Sequence, residues 1–417
     1  MFGLLGKTLS HSLSPQIHAL LGDDQYQLWE VDDLSSFLSR TDYSGFNVTI
    51  PYKESIIPYL DGLDGIAKSI GSVNTVVKKY GQLIGYNTDY YGLSKTIQKN
   101  KVVIKNKNIL IVGNGGASKT AKVLMKNMGA ASITIACRTK KQSDEVLFSE
   151  LPSQMNTHVL INTTSIGMYP HNDDPYPLSL DTMPELTTVI DLIYNPLRTS
   201  LLLEAEKRNI TAINGLYMLV MQAKASRELF LDDSNIDHNK AVSIYHYLFE
   251  KQCNVVFIGM PLSGKTAYAK QLSSLVSKPL IDTDSTIEQE EQTSIPDLFE
   301  QKGELYFRNC ESSLIERIYK RSSLIVSTGG GMVMDSSIVH RLKQNGILIY
   351  LDKDYHEIMR KDIHNRPLIK SSEDVELLAK KRIPYYQSAA DITIKTQPNR
   401  KMVLEEIEAK LYAYYHS

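Results

Sequence analysis

The chain has 417 residues, 42% hydrophobic and 22% charged, with 46 basic against 47 acidic side chains and a formal net charge of −1. That length suggests two or three domains. The balanced charge argues against nucleic-acid and membrane partners, so bound anions must be met by local groups. Cys137, Cys253 and Cys310 lack disulfide or metal spacing and read as reduced cytoplasmic thiols. The opening apolar run is too short for a signal peptide, and no run approaches the roughly 20 residues that span a bilayer.

Strands are expected at MFGLLG, YQLWEV, GFNVTI and VNTVVK, interleaved with three polar clusters. SHSLSP offers Ser12 and Ser14. GFNVTIPYKE offers Asn47, Thr49 and Lys53. GSVNTV and GYNTDYYG offer Asn74, Asn87 and Asp89. Singly, each reads as a turn or a cap. Together they supply hydroxyls and amides for a polyhydroxylated ring, with one lysine and one aspartate for proton transfer.

Next comes the apolar run NILIV, then GNGGASKT at 113–120 opening a helix. Gly113, Gly115 and Gly116 give a tight turn that a pyrophosphate can approach, although Ser118 replaces the third glycine of the usual fingerprint. The following strand, SITIAC, ends in CRTKK. Sites for the non-phosphorylated dinucleotide place an acid there; a cationic cluster around Arg138 suits a 2′-phosphate, and the plain alternative for Arg138 is a solvated charge. Strands follow at VLINTT and TVIDLI. A polar stretch, LDDSNID, precedes a helix with Val242, Tyr245, Leu248 and Phe249 on one face, and the domain junction is placed near Lys251–Cys253.

After NVVFI, the stretch GMPLSGKT at 259–266 fits G-x-x-x-x-G-K-[ST]. Its backbone N–H groups can cradle phosphates, Lys265 can reach the β- and γ-phosphates, and Thr266 offers a hydroxyl to Mg²⁺. PLIDTDSTIE sets Asp282 and Asp284 two apart at a strand's end. Strands are expected again at LIVSTG and ILIYL, and this region bears Arg308 and Glu311, Gly329 to Gly331 in VSTGGGMV, Arg366 in HNRPLI, and Arg382 in AKKRIPYY. Arginine suits a carboxylate, and successive glycines admit a ligand close to the backbone.

The N-terminal clusters, with INTTSIGM, DLIYNP and NGLYMLVMQA, resemble shikimate dehydrogenase over about residues 1–250. The resemblance implies a substrate domain at 1–90, rejoined by helices from 215–250, and a Rossmann domain at 91–214. It implies Lys53 and Asp89 as the catalytic pair, with Lys53 the acid in reduction of 3-dehydroshikimate. Ser12, Ser14, Asn47, Thr49, Asn74, Tyr194 and Gln222 would hold shikimate. Gly113, Asn114, Gly115, Gly116, Ala117, Arg138 and Thr139 would bind NADP(H), with Leu192 and Gly215 near the nicotinamide. The family commonly has asparagine where Cys137 stands.

Residues 254–417 resemble shikimate kinase, through GMPLSGKT and the ordered acidic, arginine and triple-glycine motifs. That implies ATP on Gly259, Ser263, Gly264, Lys265 and Thr266, and Mg²⁺ beside Thr266 and Asp282. Asp284 would serve as base, while Arg308, Gly330 and Arg382 would hold shikimate. Arg366 would lie on a lid, and Arg360 would stack on adenine. Leu262 replaces a glycine usual in the family and is expected to alter the loop's flexibility more than its phosphate contacts.

The expected fold is α/β throughout: an α/β substrate domain, a Rossmann NADP domain, then a P-loop kinase domain with a parallel sheet. The expected function is bifunctional, since the first reaction's product is the second's acceptor. The partners are small molecules, 3-dehydroshikimate and shikimate. Two other readings stand open at this stage. One is a quinate-accepting dehydrogenase joined to a kinase for another small alcohol. The other is a nucleotide-binding regulator with one inactive half.

Overall fold

The computed structural model describes residues 1–9, 12–40, 42–233, 236–359 and 371–416. It forms two compact units: Met1–Tyr194 with Thr199–Tyr247, and Asn195–Arg198 with Leu248–Ser417. The division after Tyr247 falls inside the helix His238–Gln252, a few residues before the junction placed from sequence.

The first unit holds two six-stranded sheets. One comprises β1 (Phe2–Gly6), β2 (Gln27–Glu30), β3 (Gly45–Val48), β4 (Gly62–Leu63), β5 (Thr75–Lys79) and β6 (Gln82–Tyr86), in the order β2-β1-β3-β5-β6-β4. β1 lies parallel to β2 and β3, whereas β5 runs antiparallel to β3 and β6. Tyr80 and Gly81 join β5 to β6 at φ 51° and 82°. Two left-handed residues match the twist of a tight hairpin, and glycine supplies the second at no steric cost.

The other sheet comprises β7 (Asn108–Val112), β8 (Ser132–Cys137), β9 (Glu145–Leu147), β10 (Val159–Asn162), β11 (Thr188–Asp191) and β12 (Thr211–Ile213). Its order is β12-β11-β10-β7-β8-β9, and every neighbouring pair is parallel. This is the doubly wound arrangement that binds ligands where strand order reverses, here between β7 and β10. The central strands are apolar without alternation because helices cover both faces; Leu110, Ile111, Leu160, Ile161, Val189 and Ile190 are all buried. The helices Thr88–Lys99 and Leu216–Leu231 pack on each other. Gly92 permits this, since a Cβ there would stand 2.6 Å from the Met218 carbonyl oxygen.

The second unit contains β13 (Asn254–Ile258), β14 (Leu280–Asp282), β15 (Ile325–Ser327), β16 (Gly346–Asp352) and β17 (Ile392–Lys395), all parallel, in the order β14-β15-β13-β16-β17. The reversal lies at β13, whose end leads into the GMPLSGKT loop. Within this unit Arg198 donates to Asp391 at 2.9 and 3.1 Å and to the Lys343 carbonyl at 2.8 Å. Burial opposes ionisation of Asp391, but Arg198 and Lys343 hold its pKa below the usual value. No described helix is long and apolar enough to cross a membrane.

Two candidate active sites

β1 and β3 are parallel neighbours, so their ends bring the Ser12–Ser14 segment and the Thr49–Lys53 turn to one edge of the sheet. A Cβ at Gly6 would meet Thr49 Cγ2 at 2.7 Å. Ser12 Oγ accepts from the Ser14 backbone at 3.2 Å, and the Ser14 side chain is buried.

Lys53 Nζ donates to Asp89 Oδ2 at 2.5 Å. Asp89 sits in the first turn of the helix Thr88–Lys99, where the positive end of the helix favours its charge. Its other oxygen, Oδ1, accepts from Asn74 Nδ2 at 2.9 Å. That amide also reaches Thr88 Oγ1 at 3.0 Å and Gln222 Oε1 at 3.3 Å, while Asn74 Oδ1 accepts from the Thr88 backbone at 2.7 Å. Lys53, Asp89, Asn74 and Gln222 therefore form one hydrogen-bonded group.

Asn47 lies deeper. Its Oδ1 accepts from the Tyr26 hydroxyl at 2.7 Å, and its Nδ2 reaches Ser226 Oγ at 2.7 Å, Thr75 Oγ1 at 2.9 Å and the Asn74 carbonyl at 3.2 Å. Its two amide hydrogens already face three acceptors. Ser226 and Thr75, which extend the network beneath Asn74, were not singled out from sequence; no periodic signal marks them.

The dinucleotide turn follows β7. Gly113 has φ 106°, and the helix Gly116–Asn127 begins after Gly115 without a side-chain cap. A Cβ at Gly115 would meet nothing within 4 Å, whereas one at Gly116 would stand 2.6 Å from Ser72 Oγ and 3.4 Å from Lys53 Cβ. The turn thus opens on one side and abuts the Lys53 group on the other. Its exposed helix N-terminus and left-handed glycine fit a pyrophosphate. Ala117 lies in the first turn of that helix.

Beyond β8, Arg138 is exposed and makes no hydrogen bond or ion pair among the described residues. Lys140 is engaged with Glu150 at 2.7 Å. Of the cationic cluster, Arg138 is the member with no hydrogen bond or ion pair among the described residues; Lys141, also exposed, makes only a 3.4 Å contact to the Asn114 carbonyl. A Cβ at Gly215 would overlap the Leu192 carbonyl, so only glycine lets the segment 192–194 lie against the start of the helix Leu216–Leu231. Asp191 anchors that segment by accepting from Asn162 Nδ2 at 2.9 Å, Ile193 N at 3.1 Å and Thr199 Oγ1 at 2.7 Å. Burial pushes the Asp191 pKa up to about 7, against these hydrogen bonds, and burial also raises that of Tyr194.

In the second unit the loop after β13 places Gly259 at φ 147° and Gly264 at φ 101°. Leu262 is also left-handed, at φ 62°, so the residue that replaces glycine adopts a conformation glycine would adopt without strain. Lys265 Nζ curls back onto the Gly259 and Met260 carbonyls, each at 2.9 Å. Ser263 Oγ is buried with no hydrogen-bond partner among the described residues. An orphaned hydroxyl and a lysine held inside a glycine-bearing loop at a helix N-terminus fit a polyphosphate. Thr266 Oγ1 donates to Asp282 Oδ2 at 2.7 Å, and these hard oxygens suit Mg²⁺.

The acceptor cluster gathers at the triple glycine. A Cβ at Gly329 would stand 2.7 Å from both Asp284 Oδ1 and Glu311 Oε1; one at Gly330 would stand 3.4 Å from Arg382 Nη1; and one at Gly331 would overlap the Arg308 guanidinium. Arg308 Nη1 donates to Glu311 Oε2 at 2.6 Å. Tyr386 donates to the Gly330 carbonyl at 2.5 Å and so fixes the glycine turn. Glu311, noted in sequence only as a neighbour of Arg308, is buried here, and burial lifts its pKa to about 7 despite the opposing pull of Arg308. The residues Arg360 and Arg366 lie outside the described residues.

A doubly wound dinucleotide fold with a lysine–aspartate pair defines an oxidoreductase, and a P-loop beside an arginine-lined acceptor cluster defines a phosphotransferase. The family model "Shikimate dehydrogenase substrate binding domain" matches residues 4–76, and "Shikimate kinase" matches residues 261–412. A shikimate dehydrogenase (NADP(+)) from Clostridium beijerinckii is 35% identical over 268 residues, spanning 60% of this chain and 98% of that protein. Among solved structures, a chorismate mutase/shikimate 5-dehydrogenase fusion protein from Clostridium acetobutylicum matches at TM-score 0.56 and 34% identity, over 60% of this chain and 97% of the other. Shikimate dehydrogenase 1 from Peptoclostridium difficile matches at TM-score 0.55 and 36% identity, over 59% and 97%. The chain belongs to the shikimate dehydrogenase family and carries a shikimate kinase domain after it.

Proposed function

We propose that this chain catalyses two consecutive reactions, reduction of 3-dehydroshikimate to shikimate and phosphorylation of shikimate to shikimate 3-phosphate. The observation that carries the reading is that each glycine turn abuts its own acceptor group: Gly116 beside Lys53, and the GMPLSGKT loop, through Pro261, beside Gly330. When bound, NADPH supplies the hydride, and ATP with Mg²⁺ supplies the phosphoryl group. Lys53 gives a proton to the ketone oxygen as it becomes a hydroxyl. Asp89 holds the Lys53 ammonium, and Asn74 holds Asp89. Ser12, Ser14, Thr49, Tyr194 and Gln222 are assigned to the substrate's hydroxyl and carboxylate groups, and Asn47 to holding Asn74 in place.

In the second reaction Asp284 takes the proton of the acceptor hydroxyl, while Arg308 and Arg382 grip the carboxylate. Lys265 and Thr266 are assigned to phosphate and metal. Sheet membership supports assigning 1–90 to substrate, 91–214 to the dinucleotide and 254–417 to the kinase, and the packing of the helix Leu216–Leu231 on the helix Ser14–Leu20 supports the return of 215–250 to the substrate domain. Neither alternative reading is favoured, since the family matches name shikimate for both halves and every proposed catalytic group is present. A cytoplasmic location forms part of the proposal, and the three free cysteines suit a reducing compartment. Calorimetric titration of the whole chain with shikimate, in the presence of NADP⁺ and MgADP, tests it. Two binding sites per chain are expected; one site would contradict it.

A further inference from the structure

Parallel strands ordinarily need a crossover of about a dozen residues or more, usually with a helix. Between β8 and β9 only residues 138–144 intervene, and no helix forms. This short connection bears Arg138, Thr139, Lys140 and Lys141, the residues nearest a bound adenosine ribose on the proposed reading. Regular structure does not hold it in place.

A buried carboxylate holds its middle, and the exposed Lys122–Asp144 ion pair at 2.5 Å holds its far end. Glu145 opens β9 and is 5% exposed. Its Oε2 accepts from Asn114 Nδ2 at 2.8 Å, from the Lys141 backbone at 2.7 Å and from the Cys137 thiol at 3.6 Å. The Asn114 amide also donates to the Thr139 carbonyl at 2.9 Å. Asn114 is the second residue of the dinucleotide turn. One side-chain amide therefore ties the turn that meets the pyrophosphate to the connection that meets the ribose.

The chemistry of the connection follows from this arrangement. Burial opposes the charge on Glu145, but its hydrogen bonds outweigh burial and hold its pKa below the usual value. Its acceptor oxygen Oε2 points inward, toward three donors of the protein. An acid that met the ribose hydroxyls would have to point outward. Lys140 is drawn off to Glu150, and Lys141 Nζ lies 3.4 Å from the Asn114 carbonyl. All three cations are exposed, and Arg138 is the one with no hydrogen bond or ion pair among the described residues.

We propose that the Asn114–Glu145 pair positions Arg138 and thereby sets the preference for a 2′-phosphorylated dinucleotide; this rests on the dehydrogenase reading above. Both are positioning residues, acting through Arg138. The test measures dissociation constants of NADPH and NADH by fluorescence titration of the full chain. It compares wild type with Glu145→Ala, Glu145→Gln, Asn114→Ala, Arg138→Ala and the Asn114→Ala/Arg138→Ala pair. The far-ultraviolet circular dichroism and thermal unfolding profile of the same samples report that the dinucleotide domain is folded.

Glu145→Ala should weaken NADPH by about tenfold, the scale of a lost hydrogen bond to a charged group, and leave NADH within about twofold, while Asn114→Ala, which also alters the turn shared by both dinucleotides, should weaken NADPH more than NADH. Glu145→Gln should recover most of the loss, because its oxygen can still accept. Glu145→Ala should raise KM for NADPH while kcat at saturation holds. Asn114→Ala should add nothing to the NADPH-to-NADH ratio once Arg138 is gone. Equal weakening of both dinucleotides, or a further fall of the ratio in the Arg138→Ala background, would overturn the proposal. So would a ratio unchanged by Arg138→Ala, which would leave the dehydrogenase reading standing. Failure of the wild type to bind either dinucleotide would overturn both.

Discussion

Lys53 Nζ lies 2.5 Å from Asp89 Oδ2, and the other oxygen of that carboxylate is held by Asn74 Nδ2 at 2.9 Å. The lysine side chain is 18% exposed and the aspartate 9%. The ammonium is thus aimed from a largely dry socket, with the dinucleotide turn at Gly116 against its stem.

Lys53→Ala removes the proton donor. NADPH-dependent reduction of 3-dehydroshikimate is expected to fall by about 10²- to 10⁴-fold, with shikimate-dependent ATP turnover unchanged. Asp89→Asn should also reduce the rate. Rates of both activities on one preparation check this. Loss of both from a folded Lys53→Ala chain would contradict separate sites.

Lys265→Ala is the converse. Nζ now rests on the Gly259 and Met260 carbonyls, inside the loop that would receive phosphate. Phosphoryl transfer should drop on the order of a hundredfold or more, while NADPH oxidation persists. Wild-type phosphoryl transfer in the variant would take the loop out of the mechanism.

Gly331→Ala probes the acceptor cluster alone. The added methyl would press on the Arg308 guanidinium, a side-chain end that can swing aside. The KM for shikimate in the kinase assay should rise about tenfold, the scale of one charge-assisted contact, with the KM for ATP within about twofold. A rise in the ATP constant instead would place Arg308 at the nucleotide.

Asp191 gives a pH dependence. Its folded pKa, raised to about 7 by burial, exceeds the ordinary 3.8. The folded chain therefore binds this proton more tightly. The stabilisation is full below 3.8 and is lost as pH rises through about 7, by at most about 4 kcal/mol. Asp191→Asn keeps an oxygen for Asn162 and Ile193 and does not titrate. Its thermal midpoint should fall less than that of the wild type between about pH 5 and pH 8. Parallel profiles would show that Asp191 stays ionised.

Much of this was legible because it rests on local grammar. Gly259, Gly264, Lys265 and Thr266 are spaced by the geometry of a phosphate loop, and the apolar runs at NILIV and NVVFI became β7 and β13. Each of the runs from MFGLLG to ILIYL contains a strand. The strands left unread, β4, β6, β9, β12 and β17, are short or mix polar and apolar residues, and their pairing is decided by tertiary neighbours. Long-range roles were hidden too. Nothing near Asn47 announces that its amide meets Ser226, and nothing near Glu145 announces Asn114. Glu311 drew notice only through Arg308, since burial, not spacing, gives it its raised pKa.

The central claim is that one polypeptide performs two successive steps on one ring. The direct measurement gives the purified chain 3-dehydroshikimate, NADPH and MgATP together and follows products by mass spectrometry. Shikimate 3-phosphate should accumulate, with NADPH and ATP consumed in equal amounts. Shikimate without its phosphate, or unchanged 3-dehydroshikimate, would contradict the account.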